Sequence, residues 1–502
     1  MCAFSDASSK KQMTPTELLD LVDSVRKNKA ESNFLELKKA HLGSPKRLYD
    51  TLSSFSNQDG GGVILFGLDE DNDFEAVGVY DPQDLQRQIK NQCRQMQPPV
   101  RAVLTVAERE GKHFVAAEIP GLDYAQRPCF YAGAGRMKGA FVRVGDSDET
   151  MSEYEIYSFE AFRQKYQDDI AIVQTAERSD LDSEAIERYI ARLKAGKPNL
   201  SRLPDGQLYR LMNLLKGGHP TVAAMLLFGL YPQAFFPQLS IIATVVPGVS
   251  VGETGADGER FSDNERIDGT IEEMLERTVR FVARNIRVKT IINPETGKRE
   301  DKPQYSMVAV REAILNALVH RDYSIHTQGQ PIEVKIFQNR LEIANPGGLY
   351  GRMTLDQLGR VQPDTRNPVL VNALEVLGLT ENRYSGIPVM CKEAERLGME
   401  KPIFEDQRGS FRVTFLGQSL NQQSVALPGG RSEDDILSFC AQPRSREELK
   451  VFLGVNTTSY MMRKFVMPLI VKGRLALTLP NAPKSSKQRF VTVACVRLGE
   501  WT

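Results

Sequence analysis

Residues 311–322 read REAILNALVHRD, and the reading of the whole chain turns on this stretch. Glu312, Asn316 and His320 recur every four residues, which puts all three on one face of a helix. Ile314, Leu315 and Leu318 are left to pack elsewhere. A carboxylate can orient a water and an amide oxygen can ligate a hard cation, so a stacked Glu–Asn pair above a glycine-rich turn suits a Mg2+-nucleotide site. On spacing alone the same residues also read as the polar face of a helix.

Outward from this helix, EVKIFQNRLEIANPGGL (333–349) gives two strands closing on a tight glycine turn. On the other side, TIEEMLERTVRFVARNIRVKT (270–290) is amphipathic, with Ile271, Leu275, Val279 and Val282 inward, and INPETGK (292–298) reads as a hairpin turn. AAMLLFGLYP (223–232) and LSIIATVVPG (239–248) read as a buried helix and a buried strand.

The first 165 residues alternate differently. TPTELLDLVDSVRK (14–27) opens on a cap-like Thr14 and spaces Leu18, Leu19, Val22 and Val25 helically. ESNFLELKKA (31–40) is strand-like, and KRLYDTLSSFSNQ (46–58) is helical and ends at Gly60–Gly62. VILFGLDED (63–71) is a buried strand with an acidic exit, and DPQDLQRQIKNQCRQM (81–96) is another helix. RAVLTVAE, HFVAAEIPG and FVRVG are further strands, which makes an α+β domain. Glu31, Glu36 and Asp69, with Lys38, come from different elements and could collect divalent cations and a phosphate; taken alone they also read as a solvated strand edge.

At 502 residues the chain is expected to form three or four domains, and 41% hydrophobic with 25% charged residues fits a globular protein. The boundaries read as 14–165, a polar helical connector at 166–218, a module at 219–416, a linker at 417–431 and a last module at 432–502. Lys+Arg and Asp+Glu are both 64, so net charge points to no partner. The last segment is basic, however, with 12 Lys/Arg against 6 Asp/Glu from Arg431 onward, a hint of nucleic acid. Cys2, Cys93, Cys129, Cys391, Cys440 and Cys495 are scattered without a CxxC pair, which argues against zinc and disulfides and for a reducing cytoplasm. The apolar stretch Val222–Phe236 is broken by Gly229 and Pro232, so no membrane span is expected, and MCAFSDASSKKQM does not read as a signal peptide. GxxxxGK[ST] is absent, which excludes a P-loop motor.

The ordered motifs at Arg311–Tyr323, Asn345–Gly348, Arg366–Pro368 and Ser385–Ile387 resemble the divergent GHKL ATPase domain of bacterial proteins that pair it with a Schlafen AlbA-type domain. That resemblance implies ATP and Mg2+ (or Mn2+) as cofactors, Glu312 as general base and Asn316 as metal ligand. It also implies Gly347 and Gly348 beside adenine, Ser385 and Gly386 on the phosphate side, and His320, Arg321, Asp322 and Asn345 completing the site. Two positions depart from the pattern: Asn345 stands where an Asp usually holds adenine, and Tyr384 where a glycine is more permissive. Binding is therefore expected ahead of turnover.

Residues 20–165, with ESxxxExK, FSNQDGGGVILFGLDED and FVRVG, look like the Schlafen AlbA-type domain. In the nucleases of that family the matching acids form a metal-dependent RNA-cleaving triad, here Glu31, Glu36 and Asp69, while other members are nucleic-acid-binding regulators. Lys39, Lys46 and Arg47 fit phosphate contacts or a solvated patch. At the other end, SREELKVFLGVNTTSYMMRKFVMPLI (445–470) reads as a helix-turn-helix, with Leu449, Phe452 and Leu453 in its core and Gly454 in the turn. VKGRLALTLP and QRFV would form a wing, and Arg463, Lys464, Lys472 and Arg474 would contact phosphates; a protein-contact module is the alternative. The expected fold class is α+β multidomain: AlbA/Schlafen-like, GHKL-type sandwich and winged helix. The expected function is ATP-controlled binding of RNA or DNA, with cleavage, in a stress or phage-defence setting and as a homodimer or higher oligomer. A non-enzymatic ATP-sensing transcription regulator and a partner-remodelling ATPase are the rivals.

Overall fold

A computed structural model of the protein describes residues 12–29, 32–255, 257–292, 299–380, 386–417, 433–455, 458–471, 474–478 and 488–492. The first helix, α1 (Pro15–Asn28), starts where the sequence marks it: Thr14 caps it, Glu17 closes a capping box, and Lys29 ends it in the left-handed conformation. Next come β1 (Leu35–Lys38), α2 (Tyr49–Asn57), β2 (Gly62–Phe66), α3 (Pro82–Arg94), β3 (Val103–Arg109) and β4 (Lys112–Ile119). These strands form one sheet in the order β1-β2-β4-β3, with β1 and β2 parallel and the other pairs antiparallel. α2 covers one face through Leu52 and Phe55, and α1 covers the other through Leu18 and Val22. A hairpin of β5 (Phe141–Val144) and β6 (Ser147–Thr150) lies against α2 and leads into α4 (Glu153–Gln164), which Ser152 caps.

The stretch read as a connector does more than connect. Its helix α5 (Ser183–Gly196) buries Ile186, Tyr189, Ile190 and Leu193 in the same apolar core as α6 (Val222–Phe228). That core is built around a second sheet. Its strands are β7 (Ile241–Val245), β8 (Asp263–Ile267), β9 (Ile332–Ile336), β10 (Arg340–Pro346), β11 (Ile403–Gln407) and β12 (Ser410–Leu416), in the order β8-β7-β9-β10-β12-β11. β7 and β9 are parallel, and α7 (Ile271–Asn285) and α8 (Met307–His320) fall within the connection between them. In α7, Val279 is half-buried, while Met274 and Phe281 join Ile271, Leu275 and Val282 in the core. The INPETGK turn falls largely outside the described residues, although its flanks Val288–Ile292 and Arg299–Pro303 pair antiparallel.

α8 decides where the site lies. Ala309, Val310, Ala313, Ile314, Leu315, Ala317, Leu318 and Val319 are all buried, so the helix is apolar nearly all round, as a helix packed on both sides must be. Ser306 caps it and also donates to Glu393 at 2.8 Å, which ties it to α10 (Gly386–Arg396). α9 (Pro368–Leu377) completes the layer; Pro368 starts it and Gly378 ends it at φ +76°.

The chain divides into two units, Met1–Gly417 and Gln418–Thr502. In the second, Glu433–Phe439, Arg446–Leu453 and the helical turns from Thr458 to Val471 enclose Ile436, Leu449, Leu453, Val466 and Phe490. Phe452 packs at the edge of this core, and Gly454 caps the second helix at φ +63°. Leu475–Leu477 pairs with Arg489–Thr492 in a three-stranded sheet. Among the described residues no helix is long and apolar enough to cross a membrane. Cys93, Cys129, Cys391 and Cys440 are free.

Candidate functional site

A cavity of about 490 Å³ opens against the polar stripe of α8. Glu312, Asn316 and His320 line it together, as their four-residue spacing requires. Opposite them stand Asn345, Gly347 and Gly348 at the end of β10, and Gly386 at the start of α10. Ile343, Leu315, Met390, Phe411 and Val413 supply apolar lining, and Arg311, Asp364, Thr365 and Arg366 add further polar groups. A cavity of this size with both apolar and charged lining fits a small ligand that has a flat ring and a charged tail.

The two glycine positions are close approaches. A Cβ on Gly386 would lie 2.3 Å from Glu312 Oε1 and 2.9 Å from Asn316 Nδ2, so any side chain there would displace the two groups that matter. Gly347 adopts φ +97°, and a Cβ on it would lie 2.5 Å from Arg366 Nη1 and 2.8 Å from Asp322 Cβ. Asn345 is nearly buried, and its Nδ2 leans on the Pro346 carbonyl at 3.4 Å. Asp406 braces the turn from outside by accepting from the Leu349 N–H at 3.3 Å.

His320 lines the cavity, and its side chain is exposed there. Desolvation by the protein packed around the ring, aided by the Arg366 charge, lowers its pKa to about 4, so it presents a neutral imidazole at neutral pH. Arg321 and Asp322, although adjacent in sequence, do not line the cavity. Arg321 turns into the protein and donates to the Thr327 and Gln330 carbonyls at 3.0 and 2.8 Å, fixing the loop after α8. Asp322 lies behind the glycine turn. Its carboxylate pairs with Arg366 at 2.8 Å, accepts the Tyr154 hydroxyl at 2.8 Å and accepts the Ser324 N–H at 2.7 Å. Burial opposes the charge on Arg366, but Asp322 and Tyr154 outweigh it and hold its pKa above the ordinary arginine value. Burial pushes the Tyr154 hydroxyl up to about 12, so it remains a donor. Tyr154 and Arg366 are site residues that sequence reasoning missed. Only the RNP motif hinted at Arg366, and nothing local marked Tyr154.

The N-terminal acids are placed differently. Glu36 lies on β1 and is buried; Lys38 pairs with one of its oxygens, and Arg143 Nη1 reaches the other at 2.8 Å. Arg143 is itself almost fully buried, meets Asp148 at 3.0 Å and lies over the Phe55 ring. Asp69, just beyond β2, pairs with Lys39 at 2.8 Å, and this ammonium holds its carboxyl below the ordinary range. Glu31 lies outside the described residues. Among the described residues no group of three or more His, Cys, Asp or Glu could hold a metal ion.

Of the cations expected to meet phosphate, Lys39 is taken up by Asp69, and Arg47 is exposed but bonded to Asp50 at 2.9 Å. Lys46 is exposed. Beside them α3 presents Arg87, Lys90 and Arg94 on one exposed face, around a shallow depression. Gln92 ties the Lys46–Arg47 loop to this helix by accepting from the Leu48 N–H and donating to the Pro45 carbonyl. Arg87 pairs with Asp84, while Lys90 and Arg94 have no ion pair among the described residues. Their helical spacing was the signal that the sequence reading passed over. Ser385 and Lys472 lie outside the described residues, as do the side chains of Arg463 and Lys464; Arg474 is exposed.

Residues 31–152 match the family model described as Schlafen, AlbA_2, and residues 329–415 match one described as putative ATP-dependent DNA helicase recG C-terminal, of the HATPase type. The chain pairs a Schlafen AlbA_2-type domain with a HATPase-type domain. A third model, a domain of unknown function, matches residues 159–241, which include α5 and α6 and bridge the AlbA_2-type and HATPase-type segments. The HATPase-type match begins after α8, so Glu312 and Asn316 precede it. No curated protein matches the chain. Among solved structures it is similar to the DIP2311 protein from Corynebacterium diphtheriae (19% identity, 90% of this chain and 93% of that one, TM-score 0.38). Another is the N-terminal domain of a putative ATP-dependent DNA helicase RecG-related protein from Nitrosomonas europaea (27% identity, 28% of this chain and 97% of that one, TM-score 0.22).

Proposed function

We propose that this is an ATP-controlled nucleic-acid-binding protein. The observation that carries the reading is the meeting of Glu312 and Asn316 with Gly386 in the cavity. The Asn316 amide oxygen is a hard ligand suited to Mg2+, and Glu312 is placed to orient a water. The first turn of α10 adds backbone N–H groups that favour phosphate. Mg2+, when bound, would offset the charge of the phosphate oxygens. The apolar lining and Asn345 would take the base. Calorimetry with Mg-ATP tests this: micromolar binding is expected, and no heat and no thermal shift would end it.

Nucleic acid is assigned to the AlbA_2-type module, where Lys46, Arg47, Arg87, Lys90 and Arg94 make a basic face. Replacing Lys90 and Arg94 by Glu should weaken binding about equally across sequences and lower the salt slope by about one per lost contact. The C-terminal unit, read as a winged helix, would add Arg463, Lys464, Lys472 and Arg474 as phosphate contacts, and pairing of two chains would add avidity. Light scattering and deletion of residues 431–502 test these two points.

The finer reading adds Mg2+- or Mn2+-dependent cleavage by Glu31, Glu36 and Asp69, with Lys38 beside them. A second reading, an ATP-sensing DNA-binding regulator without cleavage, is favoured by the way Lys38 and Arg143 neutralise Glu36 and Lys39 neutralises Asp69. Labelled tRNA, single-stranded DNA and duplex DNA, incubated with Mg2+ or Mn2+ with and without ATP, separate the two. Cleavage lost in Glu36→Ala supports the nuclease, and no cleavage of any substrate supports the regulator.

A further inference from the structure

We propose that α4, the helix that directly follows the AlbA_2-type segment, supports the nucleotide cavity through Tyr154, a positioning residue that holds the Asp322–Arg366 pair beneath the glycine turn. Occupancy of the cavity and the packing of α4 are thereby coupled. This rests on the nucleotide reading of the cavity.

Gly347, whose peptide lines the cavity, lies directly on the pair, with no room for a Cβ between it and Arg366 or Asp322. The pair is buried, so its orientation is set by the few polar atoms that reach it, and one of these is the Tyr154 hydroxyl, which comes from α4. The turn is held from its other side as well. Gly347 N–H donates to the Gly409 carbonyl at 2.8 Å, and Gly409 lies against the Tyr154 ring, where a Cβ would come within 3.1 Å of it. Next to Gly409, Arg408 adopts φ +24°, an unfavourable region for a side-chain-bearing residue. It is retained there by bonds to Glu155 at 2.8 and 3.1 Å and by a further bond to Glu149. The β11–β12 hairpin tip and the glycine turn are therefore both fastened to the same short stretch of the N-terminal module.

That stretch also reaches the N-terminal acids. Asp148 and Glu149 are neighbours on β6, and neighbouring strand residues point to opposite faces. Asp148 takes Arg143, which holds Glu36, while Glu149 takes Arg408. One strand thus reaches Glu36 through Arg143 and, through Arg408, the hairpin tip next to the glycine turn. Spatial continuity is not coupling, but coupling, where present, must be reciprocal. If Tyr154 pre-organises the turn for ligand, ligand on the turn must tighten α4.

The test uses the full chain. Tyr154→Phe removes the hydroxyl and keeps the ring on Gly409, so the fold is retained; Arg408→Gln removes the clamp to Glu155 and Glu149 without touching the cavity or the Ser152–Glu155 capping box of α4. Mg-ATP affinity by calorimetry should fall three- to tenfold in Tyr154→Phe. In the wild type, ATP should slow hydrogen exchange of the α4 amides severalfold, and each variant should abolish that slowing, a readout that a purely structural role would not move. No ATP binding by the wild type would overturn the nucleotide reading and the coupling with it. Wild-type binding with Tyr154→Phe affinity unchanged within twofold, and α4 exchange indifferent to ATP, would overturn the coupling alone.

Discussion

Glu36 and Glu312 are glutamates set into two modules of one unit, and their surroundings differ in kind. Glu36 has Lys38 on one oxygen and buried Arg143 on the other. Glu312 opens onto a cavity beside an amide and a glycine that leaves it room. A buried carboxylate must be compensated by something. In the N-terminal module that compensation comes from Lys38 and Arg143; Glu312 is half-buried and borders a cavity where Gly386 leaves room beside it.

The largest expected effect breaks the N-terminal side of this comparison. Arg143→Ala would leave buried Glu36 with Lys38 alone and half-buried Asp148 without its cation, and should cost roughly 3 kcal/mol in urea denaturation. A loss under 1 kcal/mol would mean that water reaches these carboxylates and that Glu36 is available to a metal after all.

On the cavity side, Asn316→Ala should lower Mg-ATP affinity about a hundredfold, close to 3 kcal/mol, with little change in melting temperature. Gly386→Ala should act in the same direction, because its methyl would push Glu312 and Asn316 aside. Glu312→Ala should keep binding and lose any turnover. Equal affinity in Asn316→Ala would remove the metal from this end of the cavity.

A third acid sharpens the comparison, since it is buried and has no ion pair among the described residues. Asp169 accepts the Val369 and Leu370 N–H groups at the start of α9, and burial raises its pKa from 3.8 to about 6. The native state then holds this proton more tightly than the unfolded chain does. The stability this provides is present below about pH 4 and is lost as pH rises through about 6. Asp169→Asn should remove that dependence, so that the wild-type minus mutant stability changes by on the order of 2 kcal/mol across this window. Urea midpoints at pH 4, 5, 6 and 7 measure it, and parallel curves would show Asp169 to be hydrated.

The smallest effect concerns His320. Its pKa is lowered to about 4 from 6.5, so it should remain neutral through the pH range where an ordinary histidine titrates. A native imidazole that resists protonation contributes stability present above 6.5 and lost as pH falls toward 4. Imidazole NMR shifts should stay flat down to about pH 5; a midpoint near 6.5 would mean that cavity water solvates the ring.

The features legible from the chain alone are local ones. The four-residue stripe of α8, the capping box of α1, the alternation of β10 and the glycine turn at 347–348 all follow from neighbouring residues, because helix faces, strand faces and positive φ are set within a few positions. Glu312, Asn316 and His320 share a cavity face because of their spacing, and Asn345 and Gly386 line the same cavity. What stands behind the cavity depends on distant contacts. Arg321 and Asp322 look like site residues in sequence, yet one braces a loop and the other backs the glycine turn. Tyr154 meets Asp322 from 168 residues away, and Arg143 reaches Glu36 from the β5–β6 hairpin. No periodicity encodes such pairs. Which buried charge meets which partner depends on how separately formed elements pack.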